Sequence, residues 1–474
     1  NKKIALIDKK NTAVITSTKY KEFMRAKNKR RKNGLGPMGI QKNNADFRGN
    51  SYGTHENYLC LRDKIIDDID GLAMLNAGQF DKIRYNLIPF LLTRQIFSGA
   101  GGFWNDEQGN WRYVLSPRTL ATSALFNISS SAVSHELGRP CISIKDQPLA
   151  DKKYYRLHVI MGDALMSEFA TYLTLGATWV VISMIQDGWL NEDLMFAFEN
   201  SGAPENSINS EKKLAAENKI IKYLHAISAH YAASPDLIKI PVADKGYLTP
   251  LEIQYQYLKR AKDYFTFVRK PLWWEEDIIQ KWEMALGLLE TNSPEKIRYI
   301  EWAAKLALMN SLVRKHTGVF EKIFENSTGI SHGLWRYPVN RKNGHKTETA
   351  GNMLLSASIQ YSDIRKPKSL YWALVRKGLI SRLFSETQIK QAIRFPPWTR
   401  AMLREYAKFI AKKRGLNMLV TDWNQLQFTV GPETDIQTHI FRIEPPFGGE
   451  TLWSEMEKFE KWLDGIIPKK SISG

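Results

Sequence analysis

His55 and Glu56 stand side by side in Ser51-Tyr52-Gly53-Thr54-His55-Glu56-Asn57-Tyr58-Leu59. Downstream, His158 follows Arg156 by two in Tyr155-Arg156-Leu157-His158-Val159-Ile160-Met161-Gly162-Asp163. Each stretch sets imidazole among β-formers and small residues, with arginine close by. Such a grouping suits a magnesium–triphosphate site, where carboxylate and imidazole hold the metal and arginine neutralises phosphate. The commoner alternative is a histidine on a half-buried strand, satisfied by its neighbours. The residues alone leave both readings open.

Other constellations are weaker. His225 and His230 lie five apart on an expected helix, so they face different ways and lack the glutamate of a zinc-binding HExxH. No Walker A sequence occurs, and no GxGxxG opens a helix after a strand. Cys60 and Cys141 have no CxxC spacing, which argues against a disulfide framework or zinc ribbon and fits a reducing cytoplasm.

The 474 residues are 43% hydrophobic, enough for a large core and two domains. A formal charge of +18 attracts polyanions, whether nucleotides, acidic protein segments or nucleic acid. The run Lys27, Lys29, Arg30, Arg31, Lys32 leads into a glycine-rich loop and reads as solvated surface. No zinc finger, RNP-like motif or helix-turn-helix supports a dedicated nucleic-acid binder. The longest apolar run, around Ala177–Ile185, is shorter than the roughly 20 residues a membrane span needs and reads as a buried helix or strand.

Those residues must be held by a mixed set of elements. A strand over Ile4–Lys10 and a helix over Thr18–Lys27 precede a loop from Gly34 to Gly53. Tyr58–Ile69 and Asp81–Ile96 read as helical, and Ser98-Gly99-Ala100-Gly101-Gly102 breaks the second pattern. Strands are expected over Asn110–Leu115, Cys141–Ile144 and Arg156–Ile160. Helices follow over Glu211–Ala233, Thr249–Lys262, Trp274–Thr291 and Pro294–Lys315; Thr249-Pro250 with Glu252 is an N-cap, first-turn proline and capping box. Polar stretches 200–210 and 326–351 read as inserted loops. Thr399–Arg414 reads as a last helix after Pro396-Pro397-Trp398, and Met418–Val430 as strand.

Longer strings carry more. Asn43-Asn44-Ala45-Asp46-Phe47-Arg48-Gly49-Asn50, running on through Ser51–Leu59, resembles the family of Pup deamidase/depupylase and Pup ligase. So do Pro89–Gln95 with Gly99-Ala100-Gly101, Arg139-Pro140, Arg156–Asp163 with Met166-Ser167-Glu168, Glu301–Leu306, Gln360–Arg365 and Asp422-Trp423, in order along nearly the whole chain. The resemblance implies an α+β fold like that of glutamine synthetase: a curved antiparallel sheet cradling ATP and Mg2+, backed by helices. It implies a nucleotide-binding domain over 1–388 and a small C-terminal domain over 389–474. The family acts on Pup, a small acidic tag joined to substrate lysines, and the basic surface here suits an acidic partner.

Carried over position by position, His158 and Glu56 are expected at the metal, Arg156 and Lys145 at phosphate, and Trp423 at the nucleotide by stacking. Thr54, Ala170–Leu173 and Phe441-Arg442-Ile443-Glu444-Pro445 resemble the depupylase, whereas Asn50 and Leu91-Leu92-Thr93 resemble the ligase. The family's E-x-E-Y-G metal strand and the aspartate segment ending H-P-E-Y do not occur here, so no catalytic nucleophile or base is assigned. The expectation is that a companion segment supplies them, or that the chain is a tag-binding scaffold. Ser143-Ile144-Lys145-Asp146-Gln147-Pro148-Leu149 replaces the family's N-T-R-D-E-P-H, and Ser362 stands where histidine is usual. Lysine keeps a point charge there but not a bidentate fork.

Overall fold

Pairing of Thr54–Leu61 with Tyr154–Gly162 brings the two histidine-bearing stretches together. In a computed structural model the described residues are 40–46, 50–66, 77–105, 110–128, 139–145, 154–190, 194, 196, 210–315, 335–336, 345–394, 400–422, 425–430, 437–443 and 450–466. They fall into two compact units, dividing between Leu383 and Phe384. The expected boundary after residue 388 falls inside a helix, Glu386–Arg394, that belongs wholly to the second unit.

The strands of the first unit are β1 (Thr54–Leu61), β2 (Gly102–Asn105), β3 (Asn110–Val114), β4 (Ala124–Asn127), β5 (Pro140–Ser143), β6 (Tyr154–Gly162), β7 (Ile240–Val242), β8 (Gly246–Leu248) and β9 (Trp335–Arg336). The sheet that matters most has the order β1-β6-β5-β4, antiparallel except for the parallel β4–β5 pair. The expected helix over Tyr58–Ile69 is instead the second half of β1 followed by one helical turn, Arg62–Ile65. Pairing along the whole of β6 overrides the helical look of Tyr58–Leu61.

The β1–β6 ladder has one irregularity. Thr54 pairs with Gly162 and Glu56 with Val159, so Ile160 and Met161 together oppose His55 in a β-bulge. Before the bulge, strict alternation gives one face Glu56, Tyr58, Leu157 and Val159, all buried. The other face carries His55 and Asn57, both exposed, with Arg156 and His158 opposite.

The buried face packs on helices. Those used below are α1 (Gln95–Ser98), α2 (Pro117–Leu120), α3 (Glu168–Gln186), α4 (Ser210–His230), α5 (Pro250–Phe267), α6 (Trp273–Glu290) and α7 (Glu301–Lys315). Helix α3 is long and apolar enough to cross a membrane by length and composition, but 83% of that stretch is buried inside the protein. It is the core helix behind β1. Helix α5 opens with the expected capping box, Thr249 accepting from the Glu252 amide and Glu252 from the Thr249 amide. The single helix expected over Pro294–Lys315 is broken: a 3-10 turn, Pro294–Arg298, precedes α7.

In the second unit, α8 (Arg400–Lys413) and α9 (Glu450–Ile466) pack with a three-stranded antiparallel sheet, β10 (Asn417–Asp422), β11 (Gln425–Val430) and β12 (Gln437–Arg442). The stretch read as one strand over Met418–Val430 is therefore a hairpin. Leu403, Ala407, Leu426, Phe428, Phe459 and Leu463 form its core. The expected elements at Ile4–Lys10 and Thr18–Lys27, the loop over 200–209 and Pro396-Pro397-Trp398 lie outside the described residues, as does most of 326–351. Within that last stretch, the part from His345 onward is helical.

Candidate functional site: an arginine-ringed imidazole pair

Register places His158 across from Asn57, and the bulge brings His55 onto the same side. The two rings meet with His158 Nε2 3.1 Å from His55 Nδ1 and centroids 5.0 Å apart. A nitrogen of the Arg156 guanidinium lies 3.5 Å from His158 Nδ1, while its other terminal nitrogen donates to Asn57 Oδ1 at 3.1 Å.

Two further arginines arrive from elsewhere in the chain. Arg118, in α2, donates from Nε to the Ile160 carbonyl at 2.9 Å and from a terminal nitrogen toward the Ser51 carbonyl at 3.4 Å. Arg139, just before β5, donates to the same Ser51 carbonyl at 3.1 Å. Its Nε is buried and meets no hydrogen-bond partner among the described residues. Gly53 makes the Arg118 placement possible, because a methyl group there would come 2.9 Å from Arg118 Cδ and Nε.

The electrostatics follow from this crowding. Burial, then the charges of Arg156 and His55, push His158 down to about 4. Lost hydration, then Arg118, Arg139 and Arg156, also lower His55. Arg118 falls to about 10, through burial first and Arg139 second. Burial likewise lowers Arg139 and Arg156. Near neutral pH two uncharged imidazoles therefore stand beside Arg156, with the charges of Arg118 and Arg139 acting on His55. An incoming polyanion meets its donors already in place, and planar forks suit phosphate or carboxylate oxygens.

Glu56 does not belong to this group. It is adjacent to His55 in sequence and therefore points through the sheet to the helix side. There its carboxylate takes two bonds from Arg94, at 2.5 and 2.9 Å, and one from Tyr58 Oη at 2.6 Å. Arg94 also donates to Thr178 Oγ1 in α3 at 2.5 Å. The pair is fully enclosed, with side chains 2% exposed on both partners. The expectation that Glu56 shares a metal with His158 is thus corrected: the two occupy opposite faces, and the Glu56 oxygens are already spoken for.

Among the described residues no group of three or more His, Cys, Asp or Glu stands close enough to hold a metal ion. Magnesium requires hard oxygen ligands. The imidazoles, guanidiniums and amide gathered here do not by themselves fit it. Lys145, just past β5, is exposed, and Trp423 lies outside the described residues. The structure brings the expected His158 and Arg156 together with His55, which the opening motif contained without an assigned role, with Asn57, and with Arg118 and Arg139, the latter seen in sequence only as part of Arg139-Pro140. Period-two spacing could have paired His55 with Asn57. Those last two arginines come from segments whose proximity only the fold creates.

A family model described as Pup-ligase protein matches residues 7–324 and 337–427. The chain belongs to the Pup-ligase family. A depupylase of Acidothermus cellulolyticus is 31% identical over 419 residues, covering 86% of this chain and 68% of that protein. A Pup–protein ligase of Acidimicrobium ferrooxidans is 29% identical, covering 93% of this chain and 79% of that protein. A Pup deamidase/depupylase of Mycolicibacterium smegmatis is 29% identical, covering 88% and 69%. Solved structures of the ligase PafA share the fold: its complex with Pup gives a TM-score of 0.69 at 22% identity, covering 99% of this chain and 82% of that one. Its ADP complex gives 0.68, covering 97% and 84%. The architecture is accordingly of the glutamine-synthetase-like type.

Proposed function

We propose that this chain is a nucleotide-dependent enzyme of Pup conjugates, working in the hydrolytic direction to release a Pup-like acidic tag from substrate lysines. The observation that carries the reading is Arg156 beside the His55–His158 pair, with Arg118 and Arg139 meeting at the Ser51 carbonyl and their charges acting on His55. These guanidiniums and the two neutral rings would form a receptor for the phosphates of ATP, the ligand class suggested by the ADP complex of the related ligase. In this role Arg118 and Arg139 clamp oxygens from the Ser51 side, and Arg156 closes from the β6 side. Bound there, the nucleotide completes the electrostatic surface beside which the scissile isopeptide sits.

Hydrolysis adds water to the isopeptide carbonyl, breaks the carbon–nitrogen bond, and returns the lysine amine with a proton. The hydrolytic direction rests on Thr54 opening β1 and on Ala170–Leu173 in α3, both depupylase-like. The ligase direction is the second reading, favoured by Asn50 and Leu91-Leu92-Thr93 and by ligases of nearly equal identity. A reducing cytoplasm suits the two buried free thiols, Cys60 and Cys141.

The test is mass spectrometry of an isopeptide-linked Pup conjugate incubated with the protein and Mg-ATP. Release of intact tag is expected. Attachment of free glutamate-ended tag to lysine, with ADP formed, would reverse the direction. Absence of both reactions, with no ATP bound, would remove the reading.

A further inference from the structure

The glycine-rich turn at 99–101 and the start of α2 share one anchor, Asp163. Its side chain is buried at the end of β6, with Oδ2 accepting from the Ala100 amide at 2.8 Å and Oδ1 from the Arg118 amide at 3.1 Å. Ser116 caps α2 by accepting from the Thr119 amide. Behind the Asp163 carboxylate lies Lys305 of α7, equally buried, donating to the Gly101 carbonyl at 2.8 Å. The glycine turn, then, does not face a ligand; its amide is used to hold a carboxylate.

That carboxylate sits directly under the backbone of Arg118. The two oxygens that Arg118 itself reaches, at Ile160 and Ser51, are neutral carbonyls. They orient the guanidinium but do not compensate its charge. Asp163 is the carboxylate acting on it. One buried group therefore fixes the Arg118 amide at the start of α2, and with it the point from which the side chain reaches the Ile160 and Ser51 carbonyls.

We propose that Asp163 is the positioning residue of the anion site, acting through Arg118 and not by touching ligand. This rests on the nucleotide-binding reading given above for the arginine cluster. Two measurements keep the inferences separable. The first is phenylglyoxal modification of Arg118 in ligand-free protein, mapped by peptide mass spectrometry. Slow modification is expected in the parent and at least several-fold faster modification in Asp163→Asn. The second is ADP binding by calorimetry in a double-mutant cycle.

Asp163→Asn is expected to weaken ADP about tenfold and Arg118→Ala by at least as much, with the double variant no weaker than Arg118→Ala alone. Asp163→Ser, which keeps one acceptor in a smaller volume, serves if the asparagine variant fails to fold and is expected to act in the same direction. Unchanged Arg118 reactivity in a folded variant, or losses that multiply in the double, would overturn the proposal. Faster Arg118 modification in a protein that binds no ADP would uphold the positioning role and overturn the nucleotide reading instead.

Discussion

Replacing Glu56 by glutamine separates a structural carboxylate from a metal ligand. The guanidinium of Arg94 is enclosed, and Glu56 is the carboxylate it binds through two of its nitrogens. Glutamine keeps the shape but removes the charge, leaving a buried cation uncompensated and turning one acceptor into a donor that faces another donor. Breaking a buried pair from one side costs about 3–5 kcal/mol, a large share of a typical total of roughly 5–15 kcal/mol. At roughly 2 °C per kcal/mol for a large unit, the main transition should fall by about 6–10 °C. The double variant Glu56→Leu/Arg94→Met removes both charges and should recover part of that loss, since buried pairs exchanged for apolar residues are often neutral. Differential scanning calorimetry of the single and double variants is the assay. A Glu56→Gln protein that melts like its parent but loses metal-dependent nucleotide binding would refute the face assignment and restore Glu56 as a ligand.

Arg139→Ala should weaken ADP by about 10- to 100-fold, the worth of a charge-assisted bond of roughly 1.5–3 kcal/mol, as read by calorimetry. His158 is held well below an ordinary histidine, so the folded protein takes up fewer protons than the unfolded chain between about 4 and 6.5. Its contribution to stability is present above pH 6.5 and is lost as pH falls toward 4, a slope that His158→Gln should flatten in melts run across that window. Inorganic triphosphate should raise the His158 titration midpoint in NMR spectra, because a bound anion offsets Arg156. Gly162→Ala would set a methyl group 2.5 Å from Glu56 Oε1; the enclosed ion pair has no room to yield, so a loss of about 1–3 kcal/mol is expected in denaturant titrations.

What the sequence made legible was what neighbours in the chain determine. The β-branched and aromatic run about His158 reads as a strand, and the proline and glutamate after Thr249 read as a capped helix, because both signals are local. The resemblance carried the family and the architecture. Glu56 and His158 fall on opposite faces because His158 pairs with Asn57 and Glu56 with Val159, a register that the sequence of either strand alone does not contain. The helical reading failed over Tyr58–Leu61, where the decisive partner, β6, lies about a hundred residues away in sequence, while Arg62–Ile65 is helical. Arg118 carried no signal for the same reason, and Arg139 was read only as part of the Arg139-Pro140 motif, without a role. Each is unremarkable in its own segment and becomes part of a site only when the Ser51 carbonyl lies between them.

The bulge in β6 makes the site depend on length as well as on composition. Because two residues oppose His55, Gly162 lies across from Thr54 and the Ile160 carbonyl accepts from Arg118 Nε. A chain one residue shorter between Val159 and Gly162 could keep Gly162 opposite Thr54 in an unbroken ladder and still carry every arginine and histidine named above. It would fold with a more regular strand and a worse seat for Arg118, the carbonyl at 160 being drawn into the ladder. For anyone aligning or redesigning this strand, the gap column between 159 and 162 therefore carries functional information that no substitution score at the flanking letters records.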